Sequence, residues 1–437
     1  MAAIDAAALE PLEVLVKRAG WVVASHALDM LGGAYGRRVT VIAGKGNNGA
    51  DGRVAAEVLR RRGVRCSVVD PGEPLPKADL VIDAAYGTGL RDPWPVPPQP
   101  PCPVLAVDIP TGVDGLTGED LGSLAATRTV TFAALKPGLL FEPGASQSGS
   151  VMVADIGLDV DGSAAWLVDD ADASAVIGQR AVTAHKWDRA VRVVAGSPGM
   201  TGACRLTAAA ALRAGAGMVT VSTPGRAAAG FACPTEAVAR PLPSTGWGAA
   251  VLEDLERHDV LAIGPGLGRD PATMAEVADV VMASPVPVVV DADGITALAE
   301  RPEILAKAAS PVIVTPHDGE FGRLAGGEVS ADRLRSTREL AHGLGVIVLL
   351  KGATTVVAAP DGEARVIRSG SPRLATAGTG DVLTGVIAAL AARAPALEAA
   401  AAGAHWHGRA AALGSEALVA GDLADLLGPA AEEMAAG

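Results

Sequence analysis

The residues best placed to do chemistry lie in one short run toward the C-terminal end. Ala375–Leu390 reads ATAGTGDVLTGVIAAL. Small residues break into Gly378-Thr379-Gly380-Asp381, and Leu383, Val386, Ile387 and Leu390 then recur at helical spacing. The spacing predicts a glycine turn at Gly378–Gly380 that opens a helix. The first backbone N–H groups of a helix have no partner within it, and the helix dipole adds partial positive charge there. Two glycines let a phosphate approach those N–H groups. Asp381 falls in the first turn, beside any phosphate held there. A carboxylate next to an anion is a poor choice for binding alone. It suits a base that takes a proton from a hydroxyl as that hydroxyl attacks the phosphate. The plainer alternative is a helix start capped by Thr379, and the weight between the two comes from the rest of the chain.

A chain of 437 residues suggests two to three domains. The composition is rich in alanine, glycine and proline and poor in aromatics, and a net charge of −13 argues against a general nucleic-acid binder. No apolar run reaches membrane-spanning length, and no basic region followed by an apolar core opens the sequence. Cys66, Cys102, Cys204 and Cys233 are scattered, with no C-x-x-C pair, so neither a zinc site nor a disulfide framework is expected. A soluble, cytoplasmic protein is the expectation.

In the N-terminal half, residues 5–32 read as a helix with Leu12, Leu15, Val16 and Ala19 on one side. A short apolar strand, Val39–Ala43, runs into GKGNNGADG, and a helix follows with Val54, Ala55, Val58 and Leu59 inward. Strand, glycine loop and helix open a dinucleotide-type fold, although the glycine spacing differs from G-x-G-x-x-G. The asparagine pair offers amide oxygens that can hold a cation or a sugar hydroxyl. Further strands at Cys66–Val69, Leu80–Ile82, Val104–Val107 and Val151–Ile156 suggest a parallel sheet. In such a sheet the carboxyl ends of the strands share one edge where ligands bind, so Asn48, Asp83, Asp108 and Thr111 are expected to converge. Each alone could be a cap or turn residue.

NNGADG, DAAYGTGL and VDIPTG, in this order, resemble the NAD(P)H-hydrate epimerase domain over roughly residues 5–160, and the domain is expected to span 1–160. The family more often shows NNGGDG and VDIPSG, so Ala50 and Thr111 are small departures. PWPVPPQPPCP at residues 93–103 is a larger one, because a stretch so dense in proline cannot be helix and the family has a helical connection there. The resemblance implies a Rossmann-like three-layer domain that interconverts the R and S forms of hydrated NAD(P)H at C6. It implies bound potassium at Asn48, Asp83 and Thr111, and substrate loops at Asn47, Asn48, Gly49, Ala50 and Asp51 and at Gly87, Thr88, Gly89 and Leu90. Asp108 matches the acid/base carboxylate.

Residues 161–182 lose pattern and gain Asp, Ser and Gly, and read as a linker. From 183 to 437, strands alternate with helices again. Strands at Val191–Ala195, Met218–Ser222, Val260–Ile263, Val286–Val290, Val312–Val314 and Val346–Leu350 mostly end in glycine turns or charged residues. Singly these are ordinary: Asp291 and Asp293 as helix caps, His317 as a loop histidine, Lys351 as a solvated strand end. Together with Gly378–Asp381 they resemble a ribokinase-type phosphoryl-transfer site. GxxxMTGA, LRAGAG, GPGLG, DADG, PHxGEF, LKGATT and GTGD, in that order, are similar to the NAD(P)H-hydrate dehydratase domain. That resemblance implies that Ala203, Gly268, His317 and Asp381 line the hydrated nucleotide. It implies that Lys351, Gly352, Ala353, Thr354 and Thr355, with Gly378, Thr379 and Gly380, hold ADP.

The two halves together resemble the bifunctional NAD(P)H-hydrate repair enzymes. The implied fold is α/β throughout, Rossmann-like and then ribokinase-like. The implied activity is epimerisation followed by ADP-dependent dehydration to NAD(P)H, with AMP and phosphate released. The implied cofactors are K+ in the first half and Mg2+ with ADP in the second, in a homo-oligomer that binds neither nucleic acid nor membrane. A ribokinase-type kinase of a small alcohol or vitamin, or a nucleotide-binding scaffold without turnover, are the alternatives. The epimerase-like half disfavours the first, and the paired presence of Asp108 and Asp381 disfavours the second.

Overall fold

Short runs of Val, Ile and Leu, each ending in a glycine or polar turn, form parallel strands here, and the apolar stripes of the intervening helices cover them. In the computed structural model, which describes residues 10–226 and 233–437, they fold into two units, Met1–Ser163 and Ala164–Gly437.

The first unit holds a six-stranded, all-parallel sheet: β1 (Arg38–Ala43), β2 (Arg65–Val69), β3 (Leu80–Ala84), β4 (Val104–Val107), β5 (Arg128–Phe132) and β6 (Ser150–Ala154). The spatial order is 2-1-3-4-5-6. Val41 lies opposite both Val68 and Ile82, and Ala43 opposite Ala84, so β1 and β3 end side by side. Helix α1 (Leu12–Leu31) buries Leu15, Ala19, Val23, Ala27 and Leu31 at four-residue steps and stops at Gly32 with φ 64°. It packs on α2 (Asn47–Arg61), whose Ala55, Val58 and Leu59 are buried as the spacing predicts. Leu12 corrects the predicted α1 face: it is exposed at the helix start. Residues 5–9 of the expected helix lie outside the described residues. Residues 93–103 form no helix; Trp94 is buried there and donates from its indole N–H to the Gly122 carbonyl at 2.7 Å. Strand β5 escaped the sequence reading because two of its inward positions are threonines. Thr129 is fully buried and satisfies its hydroxyl on the Ser148 carbonyl at 2.7 Å.

The second unit begins inside the segment expected to be linker, which is a correction. Residues 161–182 contain β7 (Ala165–Leu167) and α3 (Asp170–Ile177), and α3 starts in a capping box between Asp169 and Asp172. The pattern is weak because β7 is an edge strand with exposed Trp166 and Leu167. Next come β8 (Ala190–Val194), α4 (Thr201–Arg213), β9 (Met218–Ser222), β10 (Val238–Ala239), α5 (Trp247–Asp254), β11 (Val260–Ile263), α6 (Pro271–Ala283), β12 (Val288–Val290), α7 (Asp293–Ala299) and β13 (Val312–Val314). They lead to α8 (Asp318–Ala325), α9 (Arg333–Leu344), β14 (Ile347–Leu350), β15 (Thr355–Ala358), β16 (Ala364–Ile367), α10 (Thr379–Ala391), α11 (Ala396–Leu413) and α12 (Ala420–Ala436). One ten-stranded sheet results, in the order 10-9-8-11-12-13-14-15-16-7. It is parallel from β10 to β14; β15 and β16 follow as an antiparallel hairpin, and β7 pairs parallel with β16 at the edge.

Helix α10 is buried on all sides: Val382, Leu383, Val386, Ile387, Ala388 and Leu390 all lie in the core, against α4 and α11. Burial of each large side chain is worth about 1.5–3 kcal/mol, so the helix that carries Asp381 is held firmly at its first turn.

Candidate active sites

In the first unit the strand order reverses between β1 and β3, and a doubly wound sheet opens a crevice at such a point. β1 ends at Ala43 and α2 begins at Asn47, so the first turn of α2 points into that crevice. Gly49 is fixed by packing: a Cβ on it would run into the Gly44 carbonyl. A cavity of about 850 Å3 opens here, and Asn47, Asn48, Asp51, Asp108 and the whole Gly87–Leu90 loop line it. Gly49 and Ala50 shape the turn without reaching the wall.

Asp108 follows β4 with φ 67°, a left-handed conformation that few residues other than glycine adopt and that Asp tolerates better than most. Its Oδ1 accepts from Lys136 Nζ at 2.5 Å and from Thr131 Oγ1 at 3.2 Å. Lys136 is almost wholly buried and also donates to Thr131 Oγ1 and the Phe132 carbonyl, both at 2.9 Å, so all three of its N–H groups are placed. Sequence reasoning missed Lys136. Its signal was a single cation inside the apolar run TFAALKPGLL.

Asp83 and Thr111 meet as the strand-end rule predicts. The Thr111 hydroxyl donates to Asp83 Oδ1 at 2.7 Å, its N–H donates to Oδ2 at 2.9 Å, and the Tyr86 N–H donates to the Thr111 hydroxyl at 3.0 Å. Both residues are fully buried, and burial pushes the Asp83 carboxyl up against the pull of the Thr111 hydrogen bonds. They sit behind the cavity wall. Asn48 sits on it, with both polar atoms of its amide buried and unpartnered among the described residues. Asp51, on the same turn, is buried too. Loss of water, and then the charge of Asp108, push its carboxyl up to about 8.

In the second unit the ends of β12, β14 and the start of α10 converge. Lys351 Nζ donates to Asp291 Oδ1 at 2.8 Å and lies 3.8 Å from Glu320 Oε2. Asp291 Oδ2 accepts from the Thr384 hydroxyl at 3.0 Å, one turn into α10. Asp291 therefore pairs across the site and caps nothing; α7 starts without a side-chain cap. Gly378 is the N-cap of α10, with φ 90°, and Asp381 stands in the first turn as predicted. Thr379 is not the cap: its hydroxyl donates back to the Leu374 and Thr376 carbonyls. His407, fully buried, donates from Nε2 to the Thr379 carbonyl at 2.9 Å, and burial lowers its basicity to about 4, so it stays neutral. A Cβ on Gly380 would lie 3.4 Å from Asp291 and 3.8 Å from Lys351. Burial, and then the charge of Asp291, push Asp381 up to about 7, with Lys351 pulling the other way. Burial also raises Glu320, against the pull of Lys351. Lys351, despite its own burial, is held above its ordinary value by Asp291 and Glu320.

The remaining predicted residues take varied places. His317 caps α8, with Nδ1 accepting from the Gly319 N–H at 3.0 Å, and is half exposed. Gly268 turns with φ 81° and donates to Asp293 Oδ2 at 2.9 Å. Ala203 lies on α4 beside Gly266. Lys351, Gly352, Ala353 and Thr354 form the turn after β14, Arg333 donates to the Lys351 carbonyl, and Thr355 already begins β15. Glu320 and Thr384 were missed as site residues.

Two family profiles divide the chain in the same way. One described as YjeF-related protein N-terminus matches residues 12–78 and 68–138, and one described as NAD(P)H-hydrate dehydratase matches 191–432. A bifunctional NAD(P)H-hydrate repair enzyme of Moorella thermoacetica is 39% identical over 95% of this chain and 92% of its own length. The chain belongs to the bifunctional NAD(P)H-hydrate repair enzymes. Among solved structures, an ADP/ATP-dependent NAD(P)H-hydrate dehydratase from Bacillus subtilis, co-crystallised with ATP and Mg2+, covers 61% of the chain and is itself covered to 98%, at 31% identity and a TM-score of 0.53. A ribokinase-like superfamily protein from Enterococcus faecalis aligns over 63% of the chain and 98% of its own at a TM-score of 0.54 and 24% identity, and shares the fold. The repair-enzyme family thus has both its domains here, and the ribokinase-like half is the second unit. Among the described residues no helix is long and apolar enough to cross a membrane.

Proposed function

We propose that the protein repairs hydrated NADH and NADPH. The first unit interconverts the R and S hydrates, and the second dehydrates the S form with ADP. What carries the reading for the second unit is Asp381, a half-buried carboxyl at a helix start beside Asp291 and Lys351, pushed up to about 7. Dehydration must expel a hydroxyl from C6, and hydroxide is a poor leaving group. Phosphorylation makes it a good one. Asp381 takes the proton from the C6 hydroxyl as that oxygen attacks the terminal phosphate. The N–H groups at the start of α10 hold the transferring phosphate, and Lys351, fixed by Asp291 and Glu320, balances its charge. The ring nitrogen then pushes phosphate out. Magnesium keeps several waters and binds largely through phosphates; both oxygens of Asp291 are taken, by Lys351 and Thr384, so the nucleotide's own phosphates would hold it. It would supply charge neutralisation on the nucleotide.

In the first unit, Asn47–Asp51 and Gly87–Leu90 hold the hydrate and Asp108 is the acid/base. Potassium fits the donors present: one carboxylate, Asp83, one hydroxyl, Thr111, and the unpartnered amide of Asn48. That low charge suits a large monovalent ion better than a small divalent one. Cys66, Cys102, Cys204 and Cys233 form no disulfide among the described residues, which fits work in the reducing cytoplasm.

The test is to incubate the protein with mixed hydrates and ADP and follow the nicotinamide absorbance. Absorbance should return fully, beyond the S fraction, and only with nucleotide present. Return without ADP or ATP would overturn the phosphorylation route. In the same assay, exchange of potassium for a bulky organic cation should slow only the R fraction.

A further inference from the structure

The epimerase cavity holds two carboxyls in opposite surroundings. Asp108 is anchored: Lys136 and Thr131 both hold its Oδ1, and its Oδ2 lies toward Gly87, 3.9 Å from where a Cβ on that glycine would stand. Asp51 has no such anchor. Six charged groups line the cavity: Glu10, Asp51, Arg91, Asp92, Asp108 and Lys136. Both cations among them are engaged elsewhere, Arg91 with Asp114 at 3.2 Å and Lys136 with Asp108, and Glu10 is tied to Arg18. Arg53, on the next turn of α2, donates to the Gly44 and Ala43 carbonyls. Asp51 is therefore a buried carboxyl with no cation among the described residues to keep it ionised. A carboxyl that no cation faces can give up a proton as an acid, and a carboxylate held by a lysine is placed to receive one.

We infer that Asp51 is the general acid of the epimerisation, giving its proton to the departing C6 hydroxyl, while Asp108, anchored by Lys136, receives the proton of the water that returns. The assignment rests on the epimerase reading of the first unit. In the forward step the Asp51 proton moves to the C6 hydroxyl oxygen. The C6–O bond breaks as the ring-nitrogen lone pair forms the N1–C6 double bond, and one water leaves. Water then adds to the opposite face of C6, the double-bond pair returns to nitrogen, and the extra proton passes to Asp108. Protons exchange with solvent to restore Asp51 as acid and Asp108 as base. Nothing is oxidised or reduced. The raised Asp51 carboxyl, about 8, agrees with an acid that still carries its proton at neutral pH.

The experiment uses the full chain, purified R hydrate and no ADP, with the R and S forms separated by chromatography. An acid must be protonated to work, so kcat/KM of the wild type should hold level to about pH 8 and fall about tenfold per unit above it. Asp51→Asn should lose about 10^2–10^4-fold in kcat with KM changed less than about threefold, and its residual rate should no longer fall above pH 8. Asp51→Glu should recover part of the loss. A wild-type profile flat to about pH 10, or an Asp51→Asn rate within about threefold of wild type, overturns the assignment while the epimerase reading stands. Should Asp51→Asn lack a cooperative melt, the wild-type profile decides alone. A wild type that leaves the R hydrate relaxing at its spontaneous rate takes down the epimerase reading and this assignment together.

Discussion

A carboxylate beside a phosphate site repels the ligand it faces, so Asp381 makes sense only if its charge is used for something other than binding. Its surroundings fit the proposed role as base: burial and Asp291 raise it to about 7, so it is a stronger base than an ordinary surface aspartate and still ionised in part at neutral pH. The sign of the pH effect follows. Below about 7 the carboxyl is protonated and cannot accept the C6 hydroxyl proton, so kcat/KM for ADP-dependent dehydration should fall about tenfold per unit as pH drops, and level off above. Asp381→Asn should abolish that limb and lower turnover by about two to four powers of ten, with ADP affinity nearly intact because a repelling charge is gone. Steady-state rates across pH with calorimetric ADP titration check this, and near-normal turnover in the variant would end the proposal. Asp381 and Asp108 were readable because each ends a local signal, a glycine turn before a helix and a strand before a loop. The pairings around them were not. Lys136 lies 28 residues from Asp108, Lys351 lies 60 residues from Asp291, and Thr384 lies 93 residues from Asp291. No periodicity in the sequence couples residues so far apart; only the closed sheet does.

Elements set where those residues stand. The start of α10 is the clearest case. Gly378 has φ 90°, and a Cβ on it would meet Leu206 at 2.6 Å and Ala420 at 3.0 Å. Gly378→Ala must either adopt a left-handed conformation, which costs about 1–2 kcal/mol, or shift α4 and α12. Melting should fall by about 2–6 °C, and dehydration turnover should fall with it because the phosphate-facing N–H groups move. Unchanged melting and turnover would mean that the turn is slack. Strands were more legible than helix boundaries in this chain. Val104–Val107, Met218–Ser222, Val260–Ile263 and Val312–Val314 match the sequence reading, since short β-branched runs leave little choice. Helix α4 begins at Thr201, so its first turn, Thr201-Gly202-Ala203, takes in the end of the glycine-rich GSPGMTGA stretch, which composition alone reads as loop. The β15–β16 hairpin was passed over although Asp361-Gly362 marks its turn. An alanine-rich composition hides such edges, since alanine is at home in helices, strands and cores alike.

At the scale of the whole molecule, each unit carries one of the proposed sites: Asp108, Lys136 and Asp51 in one, Asp381, Lys351 and Asp291 in the other. No residue of either set is drawn from the other unit. The product of the first reaction is the substrate of the second, so the chain could pass the S hydrate directly between sites or release it into solution. Two sites whose proposed residues each come from one unit require only release. Asp108→Asn should slow conversion of the R hydrate by about 10^2–10^4-fold and leave S dehydration alone, and Asp381→Asn should do the reverse. Neither variant alone then turns pure R hydrate into NAD(P)H on the timescale of the wild type. An equimolar mixture of the two variants should restore that conversion, because the S hydrate made by the Asp381→Asn chains diffuses to the intact second sites of the Asp108→Asn chains. The rate should depend on protein concentration in the mixture more steeply than in the wild type only if direct transfer normally operates. Failure of the mixture to recover activity, with each half-reaction intact in its own assay, would show that the hydrate does not leave the chain between the two steps. Loss of S turnover in Asp108→Asn would show instead that one site serves both reactions, and the division into two independent units would fall.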